Sequence, residues 1–210
     1  MILAGGAPPT FAALEAIPPD ALLIAVDSGA DHALSAGLRI DLAVGDFDSI
    51  SATGLTTLAR ESIALERHPE QKDATDLELA LEAALSFEPR RVLVVGGTAG
   101  RLDHLMAEFL LLGSPMLADV EVDALLGTAT LNVVRGERSF EDLPGTLVSL
   151  MALHGPAVGV VTEGFTYPLA DETLLPGSTR GVSNTFEKAK ASVRVREGVL
   201  IVVRPGTTRV

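Results

Sequence analysis

The sequence predicts an α/β domain followed by an all-β domain. Short apolar runs alternate with helical patterns over the first half of the chain, which is typical of a mainly parallel sheet covered by helices on both faces. After about residue 125 short β-type runs separated by Gly, Pro and Asn replace the helical patterns, which favours a small β-sandwich. We therefore predict an α/β nucleotide-binding domain over 1–125 and a C-terminal β-sandwich over 126–210.

The first domain is predicted from three strands that alternate with three helices. The predicted strands are 21–29, 40–49 and 90–97, and the predicted helices are 30–37, 73–85 and 101–113. The helix over 73–85 has one apolar stripe, formed by Leu77, Ala80, Leu81, Ala84 and Leu85. Asp73 or Thr75 is suited to cap its N terminus, and Gly37 is suited to end the helix over 30–37.

The second domain is predicted from a series of short apolar runs that lack a long amphipathic helix. These runs are TATLNVVRGE, TLVSLMALHG, AVGVVTEG, ASVRVREG and VLIVVRPG. Their length and their Gly- and Pro-containing boundaries predict separate strands.

Composition excludes several classes of protein. The net charge of −12 disfavours an extended contact with a phosphate backbone, so we expect no nucleic-acid partner. The absence of cysteine excludes disulfides and thiolate metal ligands. The apolar start MILAGGAPP is short and lacks basic residues, and no apolar run approaches the roughly 20 residues of a membrane span. We expect a soluble, cytoplasmic protein without a membrane partner.

Aspartates follow the predicted strands repeatedly. Carboxyl ends of neighbouring parallel strands meet at one edge of a sheet, where α/β proteins bind ligands. Clustered carboxylates repel one another unless a cation neutralises them, and Mg²⁺ prefers oxygen ligands. The edge is therefore predicted to hold a magnesium–nucleotide site, and its acids are Asp27, Asp46, Asp48, Asp73, Asp76 and Asp103.

The loop GGTAGRLDH at 96–104 is a candidate phosphate-binding segment. Its glycines permit close approach of the backbone, and the N terminus of the following helix attracts anions. Arg101 can add a bidentate, charge-assisted contact. The segment matches neither the Walker A pattern nor the dinucleotide-binding pattern of glycines.

Six motifs occur in order over most of the chain: DSGAD (27–31), GDFDSI (45–50), QKDATDLELAL (71–81), GGTAGRLDH (96–104), GFTYPL (164–169) and RGVSNTF (180–186). Taken together and in this order, they resemble the motifs of the thiamine pyrophosphokinase (thiamine diphosphokinase) family. The resemblance implies transfer of a diphosphoryl group from ATP to the hydroxyl of thiamine, with thiamine diphosphate and AMP as products. It also implies a homodimer with active sites at the subunit interface.

The resemblance assigns roles to individual residues. Carried over by motif, the Mg²⁺ ligands are Asp46, Asp48 and Asp76, with Asp27 and Asp73 close by. Contacts with ATP are implied for Gln71, Lys72, Thr75 and Arg101. Asp103 is placed near the reacting hydroxyl or the metal, where Asp103 or Asp73 is a candidate proton acceptor.

Thiamine contacts are implied for the second domain, at Ser183, Asn184 and Tyr167. Aromatic faces bind flat cations such as thiamine, tryptophan best of all, and the chain has no tryptophan and a single tyrosine. Some family members carry a tryptophan in the string that matches GFTYPL. Tyr167 is therefore the candidate for stacking, and Phe186 is the reserve.

Two other functions compete with this prediction. DFDSI after an apolar run also resembles the nucleophile motif of haloacid-dehalogenase-like, Mg-dependent phosphatases. A non-catalytic sensor of thiamine or nucleotide is the second alternative. The phosphatase leaves the all-β half unexplained, and a sensor has little need of so many mutually repelling carboxylates.

Overall fold

The computed structural model describes residues 1–206, which form a mixed α/β structure of 13 strands and five α-helices. The chain divides into two compact units. The first contains Met1–Glu108 and Ala124–Gly127, and the second contains Phe109–Asp123 and the chain from residue 128 onward. The units interleave near the predicted boundary after residue 125. Residues 207–210 of the predicted second domain lie outside the described part of the chain.

The first unit alternates strands and helices. Its strands are β1 (Ile2–Leu3), β2 (Ile24–Val26), β3 (Leu42–Gly45), β4 (Ala64–Arg67) and β5 (Arg91–Gly96). Its helices are α1 (Phe11–Glu15), α2 (Gly29–Ser35), α3 (Ala52–Arg60), α4 (Asp76–Leu85) and α5 (Leu102–Leu112), the last of which continues into the second unit.

The five strands of the first unit are parallel, in the order β4-β3-β2-β1-β5. The predicted parallel sheet is confirmed, and the predicted helices over 30–37, 73–85 and 101–113 are present as α2, α4 and α5. Thr75, not Asp73, caps α4, because its hydroxyl accepts a hydrogen bond from the Glu78 amide. The strand β1 was not predicted, since it has only two residues, yet it lies between β2 and β5.

The sheet places the strand ends in register. In the pairing of β2 with β3, Val26 lies opposite Val44, so the residues that follow these strands emerge side by side. The apolar core of this unit includes Leu3, Ala25 and Ala43, all without solvent exposure. A rigid sheet core therefore fixes the positions of Asp27 and Asp46 at its carboxyl edge.

The described residues of the second unit contain the end of α5, one short 3₁₀ helix and otherwise only strands. The 3₁₀ helix is Pro115–Leu117, and β6 (Glu121–Leu126) contributes its first residues to this unit and its last residues to the other. The remaining strands are β7 (Ala129–Val134), β8 (Glu137–Glu141), β9 (Leu147–Glu163), β10 (Glu172–Leu174), β11 (Asn184–Thr185), β12 (Lys190–Arg194) and β13 (Glu197–Arg204).

The long strand β9 organises the second unit. It pairs antiparallel with β10, β11, β12 and β13 along different parts of its length. Two separate strands were predicted over this stretch, because glycine and proline at Gly155 and Pro156 indicate a break. That prediction is wrong, since β9 is continuous; positive φ angles at His154 and Gly159 and a register shift against β13 accommodate the irregular segment.

No α-helix within residues 1–206 combines the length and the apolar character needed to cross a membrane.

Candidate active site

Three carboxylates meet at the carboxyl edge of the parallel sheet. Asp27 follows β2, Asp46 follows β3, and Asp76 is the first residue of α4. One oxygen from each of the three lies within 4.8 Å of the other two. The predicted gathering of acids at this edge is thus present for these three residues.

Gly45 makes room for the Asp27 carboxylate. A Cβ atom at position 45 would overlap Oδ1 of Asp27 and lie 2.6 Å from its Cγ, and the φ of +146° at Gly45 is itself unfavourable for other residues. Any larger residue at position 45 would displace the Asp27 carboxylate from the cluster.

Asp27 is held by an unusual local backbone. Its φ is 43° and that of Phe47 is 64°, a left-handed conformation that costs about 1 kcal/mol or more per residue. The Phe47 amide donates a 3.0 Å hydrogen bond to Asp27 Oδ1. Burial raises the pKa of Asp27 to about 6, an effect that the Phe47 amide partly opposes and the charges of Asp76 and Asp46 reinforce.

Lys72 lies between two of the carboxylates. Its Nζ is 2.9 Å from Asp46 Oδ2 and 2.8 Å from Asp76 Oδ1. Burial on its own lowers the pKa of Lys72, but contacts with Asp76 and Asp46 outweigh it and raise the pKa. The hydrogen bond from Lys72 lowers the pKa of Asp46. Lys72 and Asp46 are therefore both charged at neutral pH.

The donor set fits a divalent cation of the Mg²⁺ type. All three groups offer carboxylate oxygens, the ligands that Mg²⁺ prefers. Asp76 Oδ1 is buried, and the Lys72 ammonium lies 2.8 Å from it. This buried oxygen therefore already contacts a cationic group, so its surroundings suit positive charge.

Arg67 supports the turn between β3 and α3. Its Nη1 donates a 3.0 Å hydrogen bond to the Asp46 carbonyl oxygen, and its guanidinium lies 4.8 Å from the centre of the buried Phe47 ring. Sequence reasoning did not identify Arg67, because the residue follows a β-type run without any motif.

Asp31 is a second residue to which sequence reasoning assigned no role. Its carboxylate accepts 2.7 Å hydrogen bonds from both the amide and the hydroxyl of Ser51, the residue that caps α3. Gly54 leaves space for this carboxylate, since a Cβ atom there would overlap Asp31 Oδ1. Asp31 thereby connects α2 to α3, and its place in DSGAD was the available signal.

Four other predicted residues lie outside the carboxylate group. Asp48, Gln71 and Asp73 are exposed, and the Asp48 amide donates to Asp46 Oδ1 at 3.1 Å. Thr75 uses its hydroxyl as the cap of α4. These residues border the cluster in sequence, and their predicted contacts with metal or ATP stay predictions.

Arg101 and Asp103 pair with each other at the start of α5. Arg101 Nη2 lies 2.6 Å from Asp103 Oδ2, and Nε lies 3.2 Å from Oδ1, with both side chains mostly exposed. The hydrogen bonds from Arg101 lower the pKa of Asp103 to about 2. Asp103 is therefore ionised at neutral pH and is a weak base while this pair persists.

The predicted thiamine residues lie in the second unit. Tyr167 is 60% exposed, as a stacking platform requires, and Ser183 is exposed with a φ of 61°. Asn184 is buried: its Oδ1 accepts from the Tyr167 and Thr185 amides, and its Nδ2 donates to the Tyr167 carbonyl. These bonds direct the Asn184 side chain towards the loop that contains Tyr167, so its geometry is that of a positioning residue.

Phe186 cannot serve as a stacking surface in this structure. It is 1% exposed and packs edge-to-face against Phe165 at 5.0 Å between ring centres. The reserve prediction for Phe186 is wrong, because the ring belongs to the apolar core.

The comparisons with known proteins concern both halves of the chain. The model for the family "Thiamin pyrophosphokinase, catalytic domain" matches residues 15–122. The model for "Thiamin pyrophosphokinase, vitamin B1 binding domain" matches residues 130–200. Each unit thus contains most of one matched region.

Individual relatives agree with the family models. The chain is 30% identical over 185 residues to a thiamine pyrophosphokinase of Bacillus subtilis (strain 168), which is 87% of this chain and 86% of that protein. A crystal structure of thiamine pyrophosphokinase from Bacillus subtilis matches with a TM-score of 0.85, 26% identity and 98% coverage of both chains. One from Geobacillus thermodenitrificans matches with a TM-score of 0.82 and 27% identity over 100% of this chain and 99% of that chain. The chain belongs to the thiamin pyrophosphokinase family.

Proposed function

We propose that this chain transfers a diphosphoryl group from ATP to the hydroxyl of thiamine, giving thiamine diphosphate and AMP. The observation that carries this proposal is the match of a catalytic model and a vitamin B1 binding model to successive parts of one chain. The carboxylate cluster at the sheet edge supplies the chemistry that the catalytic part needs. The phosphatase and sensor alternatives gain no support from these matches.

The two units are proposed to bind different substrates. The first unit would bind ATP at its sheet edge, where Gln71, Lys72 and Arg101 offer polar and cationic contacts to phosphates. The second unit, as a β-sandwich, would bind thiamine through Tyr167 and Ser183. Asn184 would support this site through the Tyr167 loop, since its side chain bonds that loop.

Mg²⁺ is the proposed metal, and Asp27, Asp46 and Asp76 are its proposed ligands. Asp48 stays a predicted ligand next to Asp46. Bound Mg²⁺ would neutralise phosphate charge and help to orient the phosphates. The protein's contribution is to hold three carboxylates together, two at the edge of a rigid sheet and one on α4, before substrate arrives.

The reaction forms one bond and breaks one bond. The thiamine hydroxyl oxygen attacks the β-phosphorus of ATP, the bond from that phosphorus to the AMP oxygen breaks, and the hydroxyl loses its proton. Arg101 would supply positive charge near the phosphates as negative charge moves onto the AMP oxygen. While Arg101 is bonded to it, Asp103 has a pKa of about 2 and is a weak base. Asp103 would therefore accept the hydroxyl proton only after Arg101 turns away from it towards the phosphates.

A direct assay tests the proposed function. The protein is incubated with ATP, Mg²⁺ and thiamine, and we expect AMP and thiamine diphosphate in equal amounts. Asp46→Asn should reduce the rate by roughly a hundredfold or more, because it removes charge from the metal site. Asp171→Asn is a matched control, since Asp171 is an exposed aspartate that pairs with Arg196.

The same assay distinguishes the alternatives. Release of inorganic phosphate without AMP would identify a phosphatase, and saturable binding without product would identify a sensor. Asp103→Asn should sharply reduce turnover while ATP binding persists; near-normal turnover would remove Asp103 from the reaction.

We also propose that the chain forms a homodimer with active sites at the subunit interface. The support is the surface of α5, where Leu102, Met106 and Leu110 form an exposed apolar stripe. Their exposed fractions are 69%, 58% and 47%. Contiguous apolar surface of this kind is typical of an interaction site. The cytoplasmic location expected from the sequence stays a prediction.

A further inference from the structure

Lys72 occupies the space between two carboxylates of the candidate metal site. Its ammonium lies 2.9 Å from Asp46 Oδ2 and 2.8 Å from Asp76 Oδ1, and 12% of its side chain is exposed. These two residues belong to the carboxylate group that is suited to a divalent cation. The structure thus already has a positive charge among the proposed metal ligands.

The ammonium compensates for repulsion within the site. Oxygens of Asp27, Asp46 and Asp76 lie within 4.8 Å of one another, so their negative charges would drive the side chains apart in a metal-free protein. A partly buried ion pair is screened weakly by salt. Lys72 therefore keeps Asp46 and Asp76 close together before any metal arrives.

A divalent cation held by Asp46 and Asp76 would compete with this ammonium for the charge of the two carboxylates. Lys72 Nζ already lies 2.9 Å from an oxygen of Asp46 and 2.8 Å from an oxygen of Asp76. Two cations drawn to the same pair of carboxylates repel each other, so occupancy of the site by Lys72 and Mg²⁺ at the same time is disfavoured.

Lys72 is free to leave without disturbing the fold. It lies in the irregular segment between β4 and α4, its neighbours Gln71 and Asp73 are exposed, and α4 is capped independently by Thr75. The flexible side chain can therefore turn away while Asp76 stays fixed on the helix.

We propose that Lys72 is an internal counter-ion that holds Asp46 and Asp76 together in the metal-free protein and is displaced when a divalent cation binds. The inference rests on the metal site of the proposed function. The displaced ammonium becomes available to the phosphates of the nucleotide, so metal binding prepares the site for its anionic substrate.

Lysine-selective NMR tests the displacement directly. The lysines of the chain are Lys72, Lys188 and Lys190, so a sample labelled at lysine Cε gives few signals, and Lys72→Met assigns the one of interest. In a titration with Mg²⁺ alone, we expect the Lys72 signal to move to a new chemical shift, at the same Mg²⁺ concentrations at which calorimetry detects binding. The signals of the other two lysines should stay unchanged. A Lys72 signal that stays in place while Mg²⁺ binds would overturn the inference.

The Lys72→Met variant tests the competition. Removing the competing charge should lower the Kd for Mg²⁺ roughly tenfold or more. The metal-free variant should melt at a lower temperature than the wild type, and saturating Mg²⁺ should restore most of the difference. Equal or weaker Mg²⁺ affinity in the variant contradicts the proposal.

Lys190→Met is the matched control. Lys190 also pairs with a carboxylate, Glu141, but 84% of its side chain is exposed. This variant should keep the wild-type Mg²⁺ affinity and melting temperature.

The outcomes separate this inference from the proposed function. Diphosphoryl transfer with an immobile Lys72 would refute the counter-ion alone. Displacement of Lys72 by Mg²⁺ without diphosphoryl transfer would refute the proposed reaction and leave the counter-ion intact. A wild-type chain that binds no Mg²⁺ would overturn the inference.

Discussion

Asp27 combines a left-handed backbone, a partly buried carboxylate and two acidic neighbours. Burial and the charges of Asp76 and Asp46 favour its neutral form, and the Phe47 amide opposes them. The pKa therefore rises from its ordinary value of 3.8 to about 6. Asp27 is therefore a carboxylate whose surroundings bring its pKa towards neutral pH.

The raised pKa of Asp27 predicts a pH dependence of the metal-free protein. Because the folded state prefers the protonated form, the contribution of Asp27 to the free energy of unfolding is fully present below pH 3.8 and is lost as the pH rises through about 6. A bound divalent cation reverses this preference and lowers the pKa. We expect the Asp27 carboxyl carbon to titrate with a midpoint near pH 6 by NMR, and saturating Mg²⁺ to move the midpoint downward.

Asp27→Asn provides the control for this measurement. The signal that titrates near pH 6 should disappear in the variant, while the signals of exposed aspartates stay. A midpoint near 3.8 in the metal-free wild type would show that the surroundings of Asp27 do not favour its neutral form.

The sequence was sufficient to predict that acids meet at the sheet edge, but not which ones. Asp46 and Asp76 were expected as ligands together with Asp48, whereas the structure groups them with Asp27. The grouping depends on the positive φ angles at Asp27 and Phe47 and on the space above Gly45. The spacing of apolar residues in the sequence reveals neither these φ angles nor the space that the absent Cβ atom of Gly45 leaves for a neighbouring carboxylate.

The connection between β9 and β10, which contains Tyr167, is held by one asparagine. Asn184 in β11 accepts from the Tyr167 amide at 3.0 Å and donates to the Tyr167 carbonyl at 2.7 Å. Beside it, Phe165 and Phe186 pack edge-to-face. This asparagine therefore holds the loop that presents Tyr167.

Replacement of Asn184 should affect binding and stability together. Asn184→Ala leaves the Tyr167 amide and carbonyl without their partner, so we expect a loss of about 1–3 kcal/mol in the free energy of unfolding. The KM for thiamine should rise more than kcat falls, because a displaced Tyr167 weakens substrate binding. Chemical denaturation and steady-state kinetics measure the two effects.

Ser183→Ala distinguishes a direct contact with thiamine, proposed for Ser183, from the positioning of the Tyr167 loop, proposed for Asn184. The backbone amide of Ser183, which the substitution leaves in place, donates a hydrogen bond to Ser149 Oγ, so the variant should keep its stability. A stable Asn184→Ala variant with unchanged KM would contradict the role of Asn184 in holding the loop.

Element prediction was accurate where periodicity was strong and failed where it was short or interrupted. The stripe of α4 predicted its buried face, including Leu77, Ala80 and Leu81. By contrast, the two-residue strand β1 is stabilised by pairing on both sides, and pairing does not show in the sequence. In β9, pairing with several strands likewise overrides the local preference of Gly155 and Pro156 for a turn.

The apolar stripe on α5 bears on whether the protein forms a dimer. Leu102, Met106 and Leu110 recur every fourth residue, so they lie on one side of the helix, and all three are exposed. A second copy of the chain is the proposed occupant of this surface. If active sites form at that interface, then activity and association must vary together.

Met106→Glu should weaken the proposed dimer. A charge in the middle of the stripe opposes burial, so we expect the dimer dissociation constant to rise roughly tenfold or more. Light scattering and sedimentation over a range of concentrations measure the change, and activity per chain should fall with dilution in parallel. Phe87→Glu is the control, since Phe87 is also exposed, at 52%, but follows α4 instead. A wild-type chain that is monomeric at all concentrations would exclude the dimer.

The left-handed residues around the carboxylate cluster have an evolutionary consequence. Asp27 and Phe47 each tolerate an unfavourable φ that glycine would adopt without cost. Selection maintains such residues only while the arrangement they produce is useful. In a descendant that no longer binds a cation, drift should therefore replace Asp27 by glycine or asparagine early, while the buried Phe47 and the apolar strands persist because the core needs them. The identity of residue 27 then distinguishes descendants that keep the chemistry from those that keep only the fold.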